Sequence, residues 1–224
     1  MTHPARWLWA AAAVSLVASL TPWGELLLYP FKLFTTWVHE CGHASMTVIL
    51  GGAVESVTIA PNTSGLTLSR IPDSRLAAGL VASSGYLGAS VVGCGLLAAT
   101  RVPRWSHRVL YAIGVLMLLT LVAWMRSVFS FLVVLAWGAA LIALARRGHG
   151  AASQFLLGVL AIQVALNAVF DIRVLFLIPG APSDAQTMSG LFLLPAGAWA
   201  GMWMLTSVAM LALTLWFTRP HSAR

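Results

Sequence analysis

Five stretches of this chain, residues 75–100, 109–125, 127–145, 151–178 and 195–218, are each long enough, or nearly so, to cross ~30 Å of hydrocarbon as an α-helix. With 59% of 224 residues hydrophobic and only 8% charged, the chain carries more apolar surface than a soluble domain can hide. Two further apolar runs, residues 7–20 and 26–50, precede the five. The first starts with a short charged segment, like a signal peptide, but Thr21-Pro22-Trp23-Gly24 is a poor small-residue cleavage site, so the run reads as a retained first helix. The expected fold is an all-α polytopic membrane protein of about six to seven transmembrane helices. It forms a single membrane-embedded domain over residues 1–224, with the lipid bilayer as its solvent.

A net charge of +7 raises the question of nucleic acid, but the basic residues lie in short connections between apolar runs instead of one patch interleaved with aromatics, so no nucleic-acid partner is expected. Arg101, Arg104 and Arg108 occupy one connection, Arg146 and Arg147 another, and Arg219 and Arg224 the end of the chain. Two spans separate each group from the next, which puts all three on one side, cytoplasmic by the positive-inside rule. A multi-pass protein of a bacterial cytoplasmic membrane is the expectation. Cys41 and Cys94 sit inside apolar segments, a pattern for small packing residues and not for a disulfide framework or a zinc ribbon.

One segment departs from helical patterning. After Gly51-Gly52, residues 53–71 alternate with period two around Pro61-Asn62-Thr63-Ser64-Gly65, which predicts a β-hairpin. Beyond it, Gly79, Ser83, Ser84, Gly85, Gly88, Ala89, Gly93 and Gly95 recur at spacings that let transmembrane helices approach closely.

The chemistry concentrates in His39-Glu40-Cys41-Gly42-His43, an H-E-x-x-H motif inside the second apolar run. Six histidines and three glutamates in 224 residues would produce it by chance about 0.002 times. On a helix, His39 and His43 differ by about 40° in azimuth and ~6 Å in height, so both imidazoles can reach one metal ion. Glu40 projects near the same face as a base for water, whereas Cys41 points about 160° away from the histidine midline. A carboxylate flanked by imidazoles in hydrocarbon is costly and is by default functional. Two histidines plus one further protein ligand, with a position left open for water, is the pattern of a hydrolytic zinc site holding one Zn2+ per chain.

The chain has six acids: Glu25, Glu40, Glu55, Asp73, Asp171 and Asp184. Apart from Glu40, only Asp171 lies deep in a helical apolar run, on a polar stripe with Gln163 and Asn167, and it is the expected third ligand. Asp184 is its rival, and an ion pair of Asp171 with Arg126 or Arg173 is the bland reading. Asn167, one turn before Asp171, is a candidate catalytic residue for orienting substrate backbone or an oxyanion, or else an interhelical hydrogen bond. His107, His149 and His221 fall in or near basic connections and are expected to face solvent.

With the helix-embedded motif, the Gly51-Gly52 exit into a hairpin, the Ser84-Gly85-Tyr86-Leu87-Gly88 segment and a late-helix aspartate, the chain resembles the site-two-protease family of intramembrane zinc metallopeptidases, in its compact bacterial branch without regulatory domains. The better-known members carry Leu-Asp-Gly at the third ligand, where this chain has Phe170-Asp171-Ile172. The resemblance implies zinc on His39, His43 and Asp171, Glu40 as catalytic acid/base, and hydrolysis of membrane-anchored protein substrates. The metal motif alone does not choose the scissile bond. A zinc-dependent membrane hydrolase of lipids and a non-catalytic metal-binding scaffold or transporter are the alternatives, and Glu40 argues against the last, since binding needs ligands but no base.

Overall fold

The computed structural model describes residues 13–15, 17–19, 21–147, 150–177 and 183–217, and the side chains of all these except 167–177. Helix α1 (Pro22–Ile49) begins where Thr21 caps it, its hydroxyl accepting from the Gly24 N–H at 3.1 Å, with Pro22 supplying a preset φ in the first turn. Its other end follows from the glycine pair. Gly51 takes a left-handed φ of 76°, Gly51 N–H donates to Val48 and Gly52 N–H to Thr47, which satisfies two end carbonyls and turns the chain out of the helix.

The turned-out chain forms the expected hairpin, β1 (Ala53–Ile59) antiparallel to β2 (Gly65–Arg70), with Val57 opposite Thr67, Ile59 opposite Gly65 and a bulge between Val54 and Ser56. The hairpin folds back along α1 and is fastened at several points. Tyr29 donates to the Pro61 carbonyl at 2.8 Å, Thr36 to the Thr63 carbonyl at 2.7 Å, and the Thr47 and Ser69 hydroxyls meet at 3.1 Å.

The remaining elements are α2 (Arg75–Ala99), a 3-10 turn (Pro103–Trp105), α3 (Ser106–Trp124), α4 (Val128–Arg146), α5 (Ala151–Leu177), the short α6 (Asp184–Leu191) and α7 (Ala196–Phe217). Of the six to seven expected spans, four are long and apolar enough to cross a membrane among the described residues: α2, Pro103–Trp124, α4 and α7. Their outer faces carry large apolar side chains in the open, such as Val122 at 77% and Leu205 at 69% exposure, which suits lipid as the surrounding solvent. The molecule is an integral membrane protein.

Lipid tails are as apolar as leucine, so helix association here depends on close packing and interhelical hydrogen bonds. The small residues serve the first need. Gly42 of α1 lies against the Ser84 backbone of α2, Gly93 of α2 against Ala165 of α5, and Gly114 of α3 against Gly138 of α4. The second is met by Trp37 Nε1–H, which donates to Thr120 Oγ1 at 3.0 Å between α1 and α3. Around these contacts Phe34 and Trp37 of α1, Leu110 and Met117 of α3, Val134 of α4 and Leu157 of α5 form the main core. A second cluster joins Tyr86 of α2, Met188 of α6 and Trp203 of α7, which seats the short α6 between two long helices.

Candidate metal centre

Helical spacing on α1 delivers the two motif histidines to one point: His39 Nε2 and His43 Nε2 lie 3.0 Å apart. His43 Nδ1 is 2.7 Å from the Val81 carbonyl of α2. A carbonyl only accepts, so Nδ1 carries the proton and Nε2 keeps its lone pair for an ion, the usual way a second partner sets a ligand tautomer. His39 has a Tyr86 ring against it edge to face, centroids 4.7 Å apart, and Tyr86 in turn stacks on Trp203. The helices can approach this closely because residue 85 is glycine; a Cβ there would run into ring atoms of both histidines.

Among the described residues, the carboxylate facing the histidines belongs to Asp184, the rival in the sequence reading. Its Oδ2 is 3.2 Å from His39 Nε2 and 3.3 Å from His43 Nε2. Ser183 caps α6, accepting from the Gln186 N–H at 3.3 Å, and so holds Asp184 at the first helical position. The S-x-x-Q pattern of Ser183 and Gln186 is a capping signature that announces a helix start in the sequence. The side chains of Asp171 and Asn167, the expected third ligand and substrate-orienting residue, lie outside the described residues.

His39, His43 and Asp184 each offer one ligand atom, all within 4.8 Å of one another, the one such metal-ligand group among the described residues. Two imidazole nitrogens and a carboxylate oxygen are a donor set that fits zinc with a coordination position to spare. Cys41 is not part of it; as its azimuth requires, it lines an apolar cavity of about 490 Å³ on another face of α1, with Ser45, Met46 and Leu87. His107 is half-buried at the start of α3, and His149 and His221 lie outside the described residues.

Glu40 is buried, 5% exposed, and its carboxylate is enclosed by β2. Thr67 Oγ1 is 2.6 Å from Glu40 Oε2 and 3.1 Å from the Glu40 carbonyl, and a Cβ on residue 65 would overlap the Glu40 carboxylate. Nothing in the period-two pattern singled out Gly65 or Thr67; the glycine after a turn signal was legible only as part of the turn.

The edges of the hairpin are not equivalent. On β1, Ile59 N–H donates to Ser130 Oγ at 2.7 Å, Ser130 Oγ–H donates back to the Ile59 carbonyl at 3.1 Å, and Val57 bridges Met125. The backbone groups of Val57 and Ile59 therefore face away from β2, and their opposite residues Thr67 and Gly65 turn theirs to the other edge. Among the described residues β2 pairs only with β1.

No curated protein and no solved structure matches the chain. The family model described as Peptidase M50B-like matches residues 9–214. With a match over nearly the whole chain, and with the motif histidines gathered at one candidate metal centre, the chain belongs to the Peptidase M50B-like family, within the site-two-protease group of membrane metallopeptidases.

Proposed function

We propose that this membrane protein is a zinc-dependent intramembrane peptidase that hydrolyses peptide bonds of membrane-anchored proteins, with zinc held by His39, His43 and Asp184 and Glu40 as general acid and base. The observation that carries this reading is the convergence of three candidate ligand atoms from α1 and α6, one of them on His39, the sequence neighbour of the buried Glu40. Zinc, when bound, supplies Lewis acidity and brings the pKa of a water towards ~7. The residues of the chain do the rest. The Val81 carbonyl keeps His43 in the liganding tautomer. Glu40 takes a proton from the attacking water and delivers one to the amide nitrogen as the C–N bond breaks.

A helical substrate resists this chemistry because its carbonyls are hydrogen-bonded and shielded, so the segment to be cut must unwind. In lipid, unwound backbone needs new partners. The open edge of β2, with the N–H and C=O groups of Gly65 and Thr67 beside Glu40, supports strand addition as the source of those partners. The hairpin is fastened to α1 and Ser130, which supports a fixed wall and not a flap. The basic connections at Arg101 to Arg108 and at Arg146 and Arg147 support a bacterial cytoplasmic membrane with these connections inside.

The test compares membrane fractions from cells carrying the wild type or Glu40→Gln, with zinc content measured on both proteins. Gln keeps size and polarity but removes basicity, so zinc is retained while turnover falls ~10²- to 10⁴-fold. Protein fragments made only by the wild type are the expected result. Glu40-dependent lipid products would move the reading to a lipid hydrolase. No Glu40-dependent product of either kind would favour a metal-binding scaffold or transporter.

A further inference from the structure

The hairpin supplies more than an edge. Thr67 and Gly65 share the face of β2 that covers Glu40, one through a hydroxyl 2.6 Å from Oε2 and the other through the absence of a Cβ. A threonine hydroxyl has a single proton, and of its two acceptors on Glu40 the carboxylate is both the closer and, when ionised, the stronger. We infer that Thr67 is a positioning residue for the proton-transfer chemistry. Its hydroxyl donates to Glu40 Oε2 and fixes the carboxylate plane, leaving Oε1 for the proton in transit. This rests on the reading of Glu40 as general base.

The physical basis is the freedom a glutamate otherwise has. Its side chain turns about three bonds, and proton transfer needs one oxygen within hydrogen-bond reach of water. Among the described residues no side chain other than Thr67 hydrogen-bonds the Glu40 carboxylate. The Thr67 hydroxyl arrives on a strand whose own position is pinned by Ser130 on β1 and by Tyr29 and Thr36 at the turn. Gly65 completes the arrangement by leaving space that a methyl group would take from the carboxylate. The same β2 residue then serves the substrate with its backbone and the base with its side chain, which ties the register of the bound strand to the position of the acid–base group.

The experiment uses purified full-length protein reconstituted in vesicles with a single-span reporter substrate whose membrane segment carries Asn, Gly and Pro. Thr67→Val keeps the shape and removes the hydroxyl; Thr67→Ser keeps the hydroxyl. For Thr67→Val, kcat is expected to fall about 10- to 100-fold, the scale of a hydrogen bond to a charged group. Zinc content and KM stay as in the wild type, and Thr67→Ser recovers most of the rate. A strut that merely joins β2 to α1 would change zinc retention or KM and would not distinguish Val from Ser by kcat. The double variant separates the two further: in a Glu40→Gln background, Thr67→Val should cost little more, because the group it positions no longer acts as a base.

Zinc-loaded Thr67→Val turning over at the wild-type kcat, or its loss adding in full to that of Glu40→Gln, overturns the inference. If Thr67→Val does not fold, Thr67→Ala, judged by the same zinc, kcat and double-variant criteria, takes its place. Glu40→Gln at wild-type kcat would instead sink the general-base reading itself, so the two failures are distinguishable.

Discussion

Asp184→Asn is the perturbation that tests the metal centre most directly. Asn keeps the size of Asp and a hydrogen-bonding oxygen, and it removes the one negative charge among the three candidate ligand groups. Its effect on folding should be small: an acid in the first turn of a helix contributes ~0.3–1 kcal/mol, and the Ser183 cap remains. Its effect on zinc should be large. Four-ligand zinc sites bind with roughly 10–16 kcal/mol, so one ligand is worth about 2.5–4 kcal/mol, or a loss of about 10²- to 10³-fold in affinity. Zinc affinity by competition with a chromophoric chelator, together with metal content by mass spectrometry and far-UV circular dichroism in the same detergent, gives all three quantities. Asp171→Asn is the matched comparison and is expected to retain zinc. If Asp184→Asn binds zinc like the wild type while Asp171→Asn releases it, the ligand set is His39, His43 and Asp171, and the close approach of Asp184 to the histidines is an ion pair and nothing more.

Gly85→Ala should release zinc, because its methyl group runs into both histidine rings, whereas Gly95→Ala on the same helix meets nothing within 4 Å and should leave metal content unchanged. Loss of zinc from neither variant would mean that α2 can shift away from α1 at little cost. Ser130→Ala leaves the N–H and C=O of the buried Ile59 without their partner and should lower stability by about 1–3 kcal/mol, read as a drop in thermal midpoint with zinc retained below it. An unchanged midpoint would show that the β1 edge is not docked there. Ser69→Pro removes the hydroxyl that meets Thr47 and also an N–H that alternation from Thr67 turns to the open edge, outside the ladder with β1, so cleavage of a membrane-anchored substrate should fall further than in Ser69→Ala, which loses the hydroxyl alone, while zinc stays bound. Equal loss of both would make the hairpin a structural element alone.

Much of this protein was legible from local pattern. The apolar runs of residues 75–100 and 127–145 became α2 and α4 because hydrocarbon admits only backbone whose hydrogen bonds close within the segment, a property each helix satisfies by itself. His39 and His43 converge because four residues make just over one helical turn, whatever the rest of the chain does. The exit of α1 at Gly51 is equally local, since a left-handed residue is needed there and glycine provides it.

The metal centre was only half contained in such patterns. Sequence reasoning preferred Asp171 over Asp184 because Asp171 lies deep in an apolar helix, where a carboxylate is costly and wants a reason. The side chain of Asp171 lies outside the described residues, and what brings Asp184 to the histidines is not depth in a helix. Asp184 stands on a helix of eight residues whose place is set by Met188 and Ala185 packing among α2 and α7, contacts between segments far apart in the chain. The enclosure of Glu40 by Thr67 and Gly65 is of the same kind. Period-two alternation predicts a hairpin and two faces, but which face meets α1 follows from Ser130 and Met125 holding β1 on its far edge, an arrangement that only the packed helices create.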